Sequence, residues 1–327
     1  MLLAGNYGTK KCLLYNPQKL WYDINKEKGS AAYISLKQIN GTAFGKNVVM
    51  KITAACSNEK NILDGRQKER RAIMAEEKLM YLIKYLLSED DRYEQIRIPE
   101  GAGERFSLFR SLVNIRPPKP ASDKFLAVQN EFLKEEIASK GITDAADLTP
   151  AENGIYLWKG DITTLKCGAI VNAANSQLLG CFQPCHSCID NAIHTFAGVQ
   201  LRLECAGIMN RQGCEEPTGT AKITSAYNLP CGHIIHTVGP IVSGRLNDTH
   251  CRLLESCYRS CLETAVGNNV QSIAFCCIST GVFGFPQKEA AEIAVKTVRK
   301  FRENHDIEVI FNVFTEKDFT VYSGLLG

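Results

Sequence analysis

The chain has 327 residues, of which 45% are hydrophobic and 22% charged, and a formal net charge of +3. These proportions exclude a long disordered chain, a collagen-like repeat and a supercharged nucleic-acid arm, and the length suits about two domains. No run of 18 or more apolar residues is present, so no membrane-spanning helix is expected. Met1–Tyr7 lacks the basic flank and apolar core of a secretory signal.

The unusual number is 14 cysteines, of which only Cys12 and Cys56 precede Cys167. A secreted disulfide scaffold would be short and loop-rich. This chain is long, and several of its cysteines fall inside apolar segments. The expectation is a reducing, intracellular and cytoplasmic setting. Most thiols would then be small buried hydrophobes, and a few would be free to bind metal.

Residues 1–73 contain strand-like runs, Ile34–Leu36 and Val48–Ile52, separated by turn signals such as Asn40-Gly41. They carry no motif, and Lys60–Arg71 reads as a solvated charged run. The segment stays unassigned, with a poorly ordered leader as the plain expectation. Residues 74–150 read as a helical extension. Leu79, Leu82, Ile83, Leu86 and Leu87 recur at helix spacing. A second helix starts near Ser122 or Asp123, with Phe125, Val128 and Phe132 on its apolar face. Arg116–Pro120 cannot be helical and forms a stiff connector. The extension shows no chemistry of its own and suits a lid or brace.

From residue 151 onward strands alternate with helices. Strands are expected at Ile155–Trp158, Ala169–Val171, Ile223–Ala226, Ile234–Val238, Ser272–Cys277 and Ile307–Phe314. Helices are expected at Asp190–Cys205, at Cys251–Val266 and through Ala290, Ala294, Val298 and Phe301. This alternation implies an α/β fold with a mostly parallel sheet. Ligands in such folds bind in loops beyond the C-terminal ends of the strands.

Three of those loops hold unusual residues. Gly160-Asp161-Ile162-Thr163 offers a carboxylate that can accept from a base's exocyclic amine, or simply cap a turn. Asn172-Ala173-Ala174-Asn175 offers two amides suited to sugar hydroxyls, or an Asn-rich turn. Ser279-Thr280-Gly281-Val282-Phe283-Gly284 can turn consecutive N–H groups toward a diphosphate, with Phe283 covering a ribose. It lacks the lysine of a P-loop. Between the second and third loops, Cys181, His186 and Cys188 can close on one zinc and leave a fourth position open, with Cys185 able to replace one of them. A chance cluster of thiols is the plain alternative.

These segments, together with Asp190-Asn191-Ala192-Ile193-His194, resemble the macrodomain family in order and spacing. The Cys181–Cys188 insertion and the helical extension are similar to its zinc-dependent protein-ADP-ribose hydrolases. The resemblance covers about 250 residues and leaves out residues 1–73. It implies a three-layer macrodomain sandwich with a central mixed sheet over residues 151–327. It also implies a hydrolase that removes ADP-ribose from mono-ADP-ribosylated proteins. The implied substrate-binding residues are Asp161, Ile162, Asn172, Asn175, Ile189, Ser279, Thr280, Gly281, Val282 and Phe283. Asp190 and Asn175 would be catalytic, and Cys181, His186 and Cys188 would hold one zinc ion. Partners would be ADP-ribose and an ADP-ribosylated protein. A non-catalytic ADP-ribose reader is the alternative. A nucleic-acid module fits poorly, because no basic, aromatic-interleaved stretch exists.

Overall fold

The computed structural model describes Tyr22–Asn25, Tyr33–Leu36 and residues 69–70 and 72–327. The chain divides into two units, Met1–Glu69 and Arg70–Gly327. In the first, β1 (Tyr22–Asn25) pairs antiparallel with β2 (Tyr33–Leu36), Tyr22 opposite Leu36. The expected strand at Ile34–Leu36 lies in β2. The expected run Val48–Ile52, Cys12 and Cys56 lie outside the described residues.

The second unit begins with three helices: α1 (72–87), α2 (Ala102–Ile115) and α3 (Asp123–Ser139). Leu79, Leu82, Ile83 and Leu86 bury one face of α1. On α3, Phe125 and Phe132 are buried and Val128 is half-buried. Ser122 caps α3 by accepting from the Phe125 N–H at 3.2 Å, leaving one fewer orphan donor in the first turn. Phe109 of α2 meets Phe132 edge-on at 5.7 Å. Pro117 forces Arg116 into extended backbone, which ends α2. The buried Arg116 side chain ties the connector together. It donates to Glu89 at 2.7 and 2.8 Å and to the carbonyls of Lys119 and Pro120.

A seven-stranded sheet follows, in the order β4-β5-β11-β10-β7-β9-β8. Its strands are β4 (Pro150–Glu152), β5 (Ile155–Lys159), β7 (Ala169–Ala174), β8 (Ala221–Ser225), β9 (His233–Val238), β10 (Ser272–Phe275) and β11 (Glu308–Val313). The five inner strands run parallel, and β4 and β8 are antiparallel edges. A short parallel pair, β3 (Thr143–Asp144) with β6 (Leu165–Lys166), lies apart. Ala169, Ile170, Val171, Ile234, Ile235, Ile273, Ala274 and Val309 are fully buried. Continuous apolar runs of this kind belong to strands covered on both faces. One helical group contains α6 (Asp248–Gly267), α7 (Gln287–Arg302) and α8 (Glu316–Leu326). The other contains α4 (Ile189–Ala197) and α5 (Val199–Gln212), on which α2 and α3 rest through α4.

The single helix expected over Asp190–Cys205 is broken at Gly198. Its φ of +100° favours glycine, and a Cβ there would lie 2.6 Å from the Gln129 amide nitrogen of α3. Gln129 accepts from the Val199 N–H at 3.1 Å, and Asn228 donates to the Ala197 carbonyl at 2.8 Å. Gln129 of the extension fills the break and satisfies the Val199 N–H, while Asn228 satisfies the Ala197 carbonyl.

A polar seam crosses this apolar core. Asp190 accepts from the Asn172 amide at 2.8 Å. The same amide donates to His236 Nδ1 at 3.1 Å, and His236 Nε2–H donates to Thr224 at 2.9 Å. One group each from α4, β7, β9 and β8 thus forms a chain, and each is buried. Burial pushes His236 down to about 4, against about 6.5 in an unfolded chain. The unfolded chain therefore takes up the proton first as pH falls. The His236 contribution to stability is complete above about pH 6.5 and is lost toward about pH 4, at most about 3 kcal/mol. Asp190 acts in the opposite sense. Burial raises its carboxyl to about 6, against hydrogen bonding from Asn172 and the charge of Arg202, so its ionisation costs stability as pH rises through that range. With His194 also held neutral by burial, the histidines outweigh the carboxylate. Urea unfolding is expected at lower denaturant near about pH 4.5 than near about pH 7. His236→Gln, which keeps a donor toward Thr224, should reduce that slope. An unchanged slope would contradict a buried neutral His236.

Candidate active site

The parallel strands end on one edge of the sheet, so the loops after β5, β7, β10 and β11 converge there. After β5, Asp161 Oδ1 accepts from the Thr163 N–H at 3.0 Å and its hydroxyl at 2.6 Å. Lys140, at the end of α3, reaches Asp161 Oδ2 at 3.0 Å. Burial works against ionisation, but the Thr163 and Lys140 hydrogen bonds win and hold the carboxyl below its ordinary range. The turn-capping role and an available half-buried carboxylate coexist in this residue. Ile162 is buried beside it.

Phe314 follows directly on β11 and is 77% exposed as a residue. Its neighbour Asn312 donates to the Gly160 carbonyl at 2.9 Å, and Gly160 N–H donates to the Val313 carbonyl at 3.1 Å. The bare aromatic therefore sits at the strand end next to the Asp161 loop. It belongs to no motif. The expected strand Ile307–Phe314 includes it as a strand residue, whereas β11 ends at Val313 and leaves the aromatic beyond it.

The loop after β10 has Ser279 buried, Thr280 and Phe283 half-buried, and Gly281 and Val282 exposed. Ser279 has φ of +65°, an uncommon conformation for a residue with a side chain. Among the described residues its hydroxyl has no partner. The loop is closed by the Phe285 N–H to Ser279 carbonyl bond at 2.9 Å and the Gly284 N–H to Gly281 carbonyl bond at 3.0 Å. Among the described residues, the N–H groups of Gly281, Val282 and Phe283 donate to no backbone carbonyl. Successive free N–H groups form an anion-binding concavity.

The two asparagines after β7 behave differently. Asn172 is fully buried, with its amide committed to Asp190 and His236. Both N–H groups of that amide are thus taken, and Asn172 braces Asp190. Asn175 is half-buried. It donates to the Gly180 carbonyl at 3.1 Å and lies 3.5 Å from Asp190 Oδ2. Ile189 and Asp190 open α4, where the helix N-terminus favours a carboxylate. His194 is buried, with Nε2 3.5 Å from Asp190 Oδ1 but no hydrogen bond made. The chain passes over its ring at Gly180, where a Cβ would lie 2.7 Å away.

Cys181, His186 and Cys188 come together, all ligand atoms lying within 4.8 Å of one another. Cys181 Sγ is 3.7 Å from His186 Nδ1. Tetrahedral zinc with bonds of about 2.0–2.3 Å sets ligand separations of about 3.5–3.8 Å. The donor set of two thiols and an imidazole therefore fits zinc after small adjustments. Burial first, then Cys181 and Asp190, pushes the Cys188 thiol up to about 11. A bound cation would reverse that preference. Cys185 is excluded from the triad. Its φ of +52° turns it toward α2, where its thiol meets the Ser107 carbonyl and the Ser111 hydroxyl at 3.3 Å each.

Arg202 anchors the start of this loop by donating to the Leu179 carbonyl at 2.6 Å, and its guanidinium lies 4.3 Å over the Phe182 ring. Burial lowers its pKa to about 10, with Asp190 opposing the shift. The described cysteines are all free thiols. Cys257, Cys261 and Cys276 are buried and Cys277 half-buried, and burial raises each of their pKa values.

Comparison with known proteins points the same way. The macro domain model matches residues 171–294. A protein-ADP-ribose hydrolase of Treponema medium is 57% identical over 267 residues, covering 80% of this chain and 99% of that protein. One from Staphylococcus aureus (strain MRSA252) is 50% identical over 252 residues, covering 75% and 93%. The Trypanosoma brucei macrodomain, solved in complex with ADP-ribose, superposes with a TM-score of 0.52 at 32% identity, covering 67% of this chain and 95% of that one. With this sheet order, these loops and relatives matched over nearly their whole length, the chain belongs to the macro domain family.

Proposed function

We propose that this protein is a hydrolase that removes ADP-ribose from mono-ADP-ribosylated proteins, with zinc bound by Cys181, His186 and Cys188. The names of the relatives support the hydrolase reading. The observation that carries the site assignment is the gathering of the Cys/His triad beside Asp190 at the start of α4, with Asp161 and Phe314 on strand-end loops of the same sheet edge.

Each residue has a role suited to its geometry. Asp161 has lone pairs left after Thr163 and Lys140 and accepts from the adenine amine, aided by the Ile162 backbone. Phe314 offers its face to the base. Gly281, Val282 and Phe283 donate N–H groups to the diphosphate, an anion that backbone dipoles bind without side-chain charge. Asn175 donates to or accepts from distal-ribose hydroxyls. Asp190, fixed by Asn172, orients a water and accepts its proton. The oxygen adds at the anomeric carbon, the glycosidic bond to the protein side chain breaks, and the departing atom is protonated. Zinc, when bound, supplies a Lewis acid beside these groups.

The decisive experiment measures free ADP-ribose released from a mono-ADP-ribosylated carrier. Asp190→Asn should lower turnover by about 100-fold or more, the usual scale for a positioned base, with ADP-ribose affinity retained. Full turnover in that variant would sink the assignment. By calorimetry, Phe314→Ala should weaken ADP-ribose binding by about tenfold, since one base stacked on an aromatic side chain contributes about 1–3 kcal/mol. Unaltered affinity would remove Phe314 from the site. Chelator treatment should reduce turnover and added zinc restore it. Metal-free Cys188→Ala turning over like the parent would reject the zinc role while leaving the hydrolase reading open to its own test.

A further inference from the structure

Among the contacts that the helical extension makes with the Cys181–Cys188 loop, one side chain, Arg110 of α2, is linked to the residues of the triad. Its guanidinium donates to Asn191 Oδ1 at 3.0 and 2.7 Å and to the His186 carbonyl at 2.8 Å. Asn191 is fully buried. Its own amide donates to the Gln183 carbonyl at 3.0 Å and the Cys181 carbonyl at 3.5 Å, and its backbone N–H donates to Cys188 Sγ at 3.4 Å. The Arg110–Asn191 pair therefore reaches all three residues of the triad, by backbone at Cys181 and His186 and by sulfur at Cys188. Asn114, one turn further along α2, accepts from the Cys185 N–H at 3.0 Å and donates to Thr195 at 3.0 Å. This bond holds the left-handed turn that points Cys185 away from the cluster.

We infer that Arg110 is a positioning residue for the metal loop: acting through Asn191, it preorganises Cys181, His186 and Cys188, so that metal retention depends on the helical extension. The inference rests on the zinc part of the proposed function. The physical reason is entropic. The loop from Gly180 to Cys188 has no regular structure of its own, and three ligands on a slack loop must be ordered each time an ion binds. A fork that holds their backbone beforehand removes that cost. Arginine suits the position because it is planar, permanently charged and reaches two acceptors at once.

The test is zinc affinity of the purified full chain, measured by competition with a chromophoric chelator and needing no turnover. Arg110→Ala should weaken zinc binding by about 10- to 100-fold, as losses of outer-sphere partners usually do. Arg110→Lys, which keeps the charge and loses the fork, should fall between the parent and Arg110→Ala, and it serves alone if the alanine variant does not fold. Glu135→Ala, which cuts the Lys78–Glu135 pair elsewhere in the extension, should leave zinc affinity at the parent value. ADP-ribose affinity, measured by calorimetry on the same samples, should not change in any of these variants, because the Asp161 and Phe314 loops are untouched. Parent-like zinc affinity in Arg110→Ala overturns the inference and leaves the zinc reading standing. Parallel loss of zinc and ADP-ribose affinity also overturns it, by showing general structural damage. A parent chain that binds no zinc removes both the inference and the zinc reading.

Discussion

A carboxylate buried at the start of a helix is the constraint around which this site is arranged. Asp190 is 4% exposed, and an ionised group so placed is costly unless it is hydrogen-bonded. Its compensation comes from the Asn172 amide, the N-terminus of α4 and the nearby charge of Arg202. Asn172 in turn needs His236, and His236 needs Thr224. The seam through an otherwise apolar sheet follows from the need to aim one carboxyl group.

The same logic explains the division of labour between the two halves of the second unit. Strands β5, β7, β10 and β11 deliver rigid ends, and the chemistry sits in the loops just beyond them. Those loops are irregular, and their backbone groups need partners that the sheet does not supply. The helical extension supplies them. Lys140 holds Asp161, Gln129 fills the break at Gly198, and Arg110 and Asn114 hold the cysteine loop. An extension without motifs of its own proves to be connected both to the Asp161 loop and to the cysteine loop.

Much of the α/β architecture was legible because its strands are continuous apolar runs and its helices have clean periodicity. The convergent loops were legible for a related reason, since Cys181, His186 and Cys188 lie within one short segment. What escaped detection depends on distant partners. The α4–α5 break requires Gln129, 70 residues from the Val199 it caps. Arg110 meets Asn191 across 81 residues, and no local pattern announces such a contact. Helix α2 was less legible because it opens on Gly101 and Gly103, poor helix formers, and Ser107 and Ser111 dilute its polar face. The Asn172–Asp190 bond was not legible either, because an amide beside a loop looks alike in sequence whether it faces a sugar or a neighbouring carboxylate.

The left-handed turn at Cys185 has a wider meaning. The loop presents three thiols and one imidazole within eight residues, yet backbone handedness admits two of the thiols and turns the third against a helix. Which sulfurs gather beside His186 is decided by torsion angle and not by the supply of sulfur. A segment rich in soft donors can therefore limit which of them meet, because its spare thiol is conformationally sequestered.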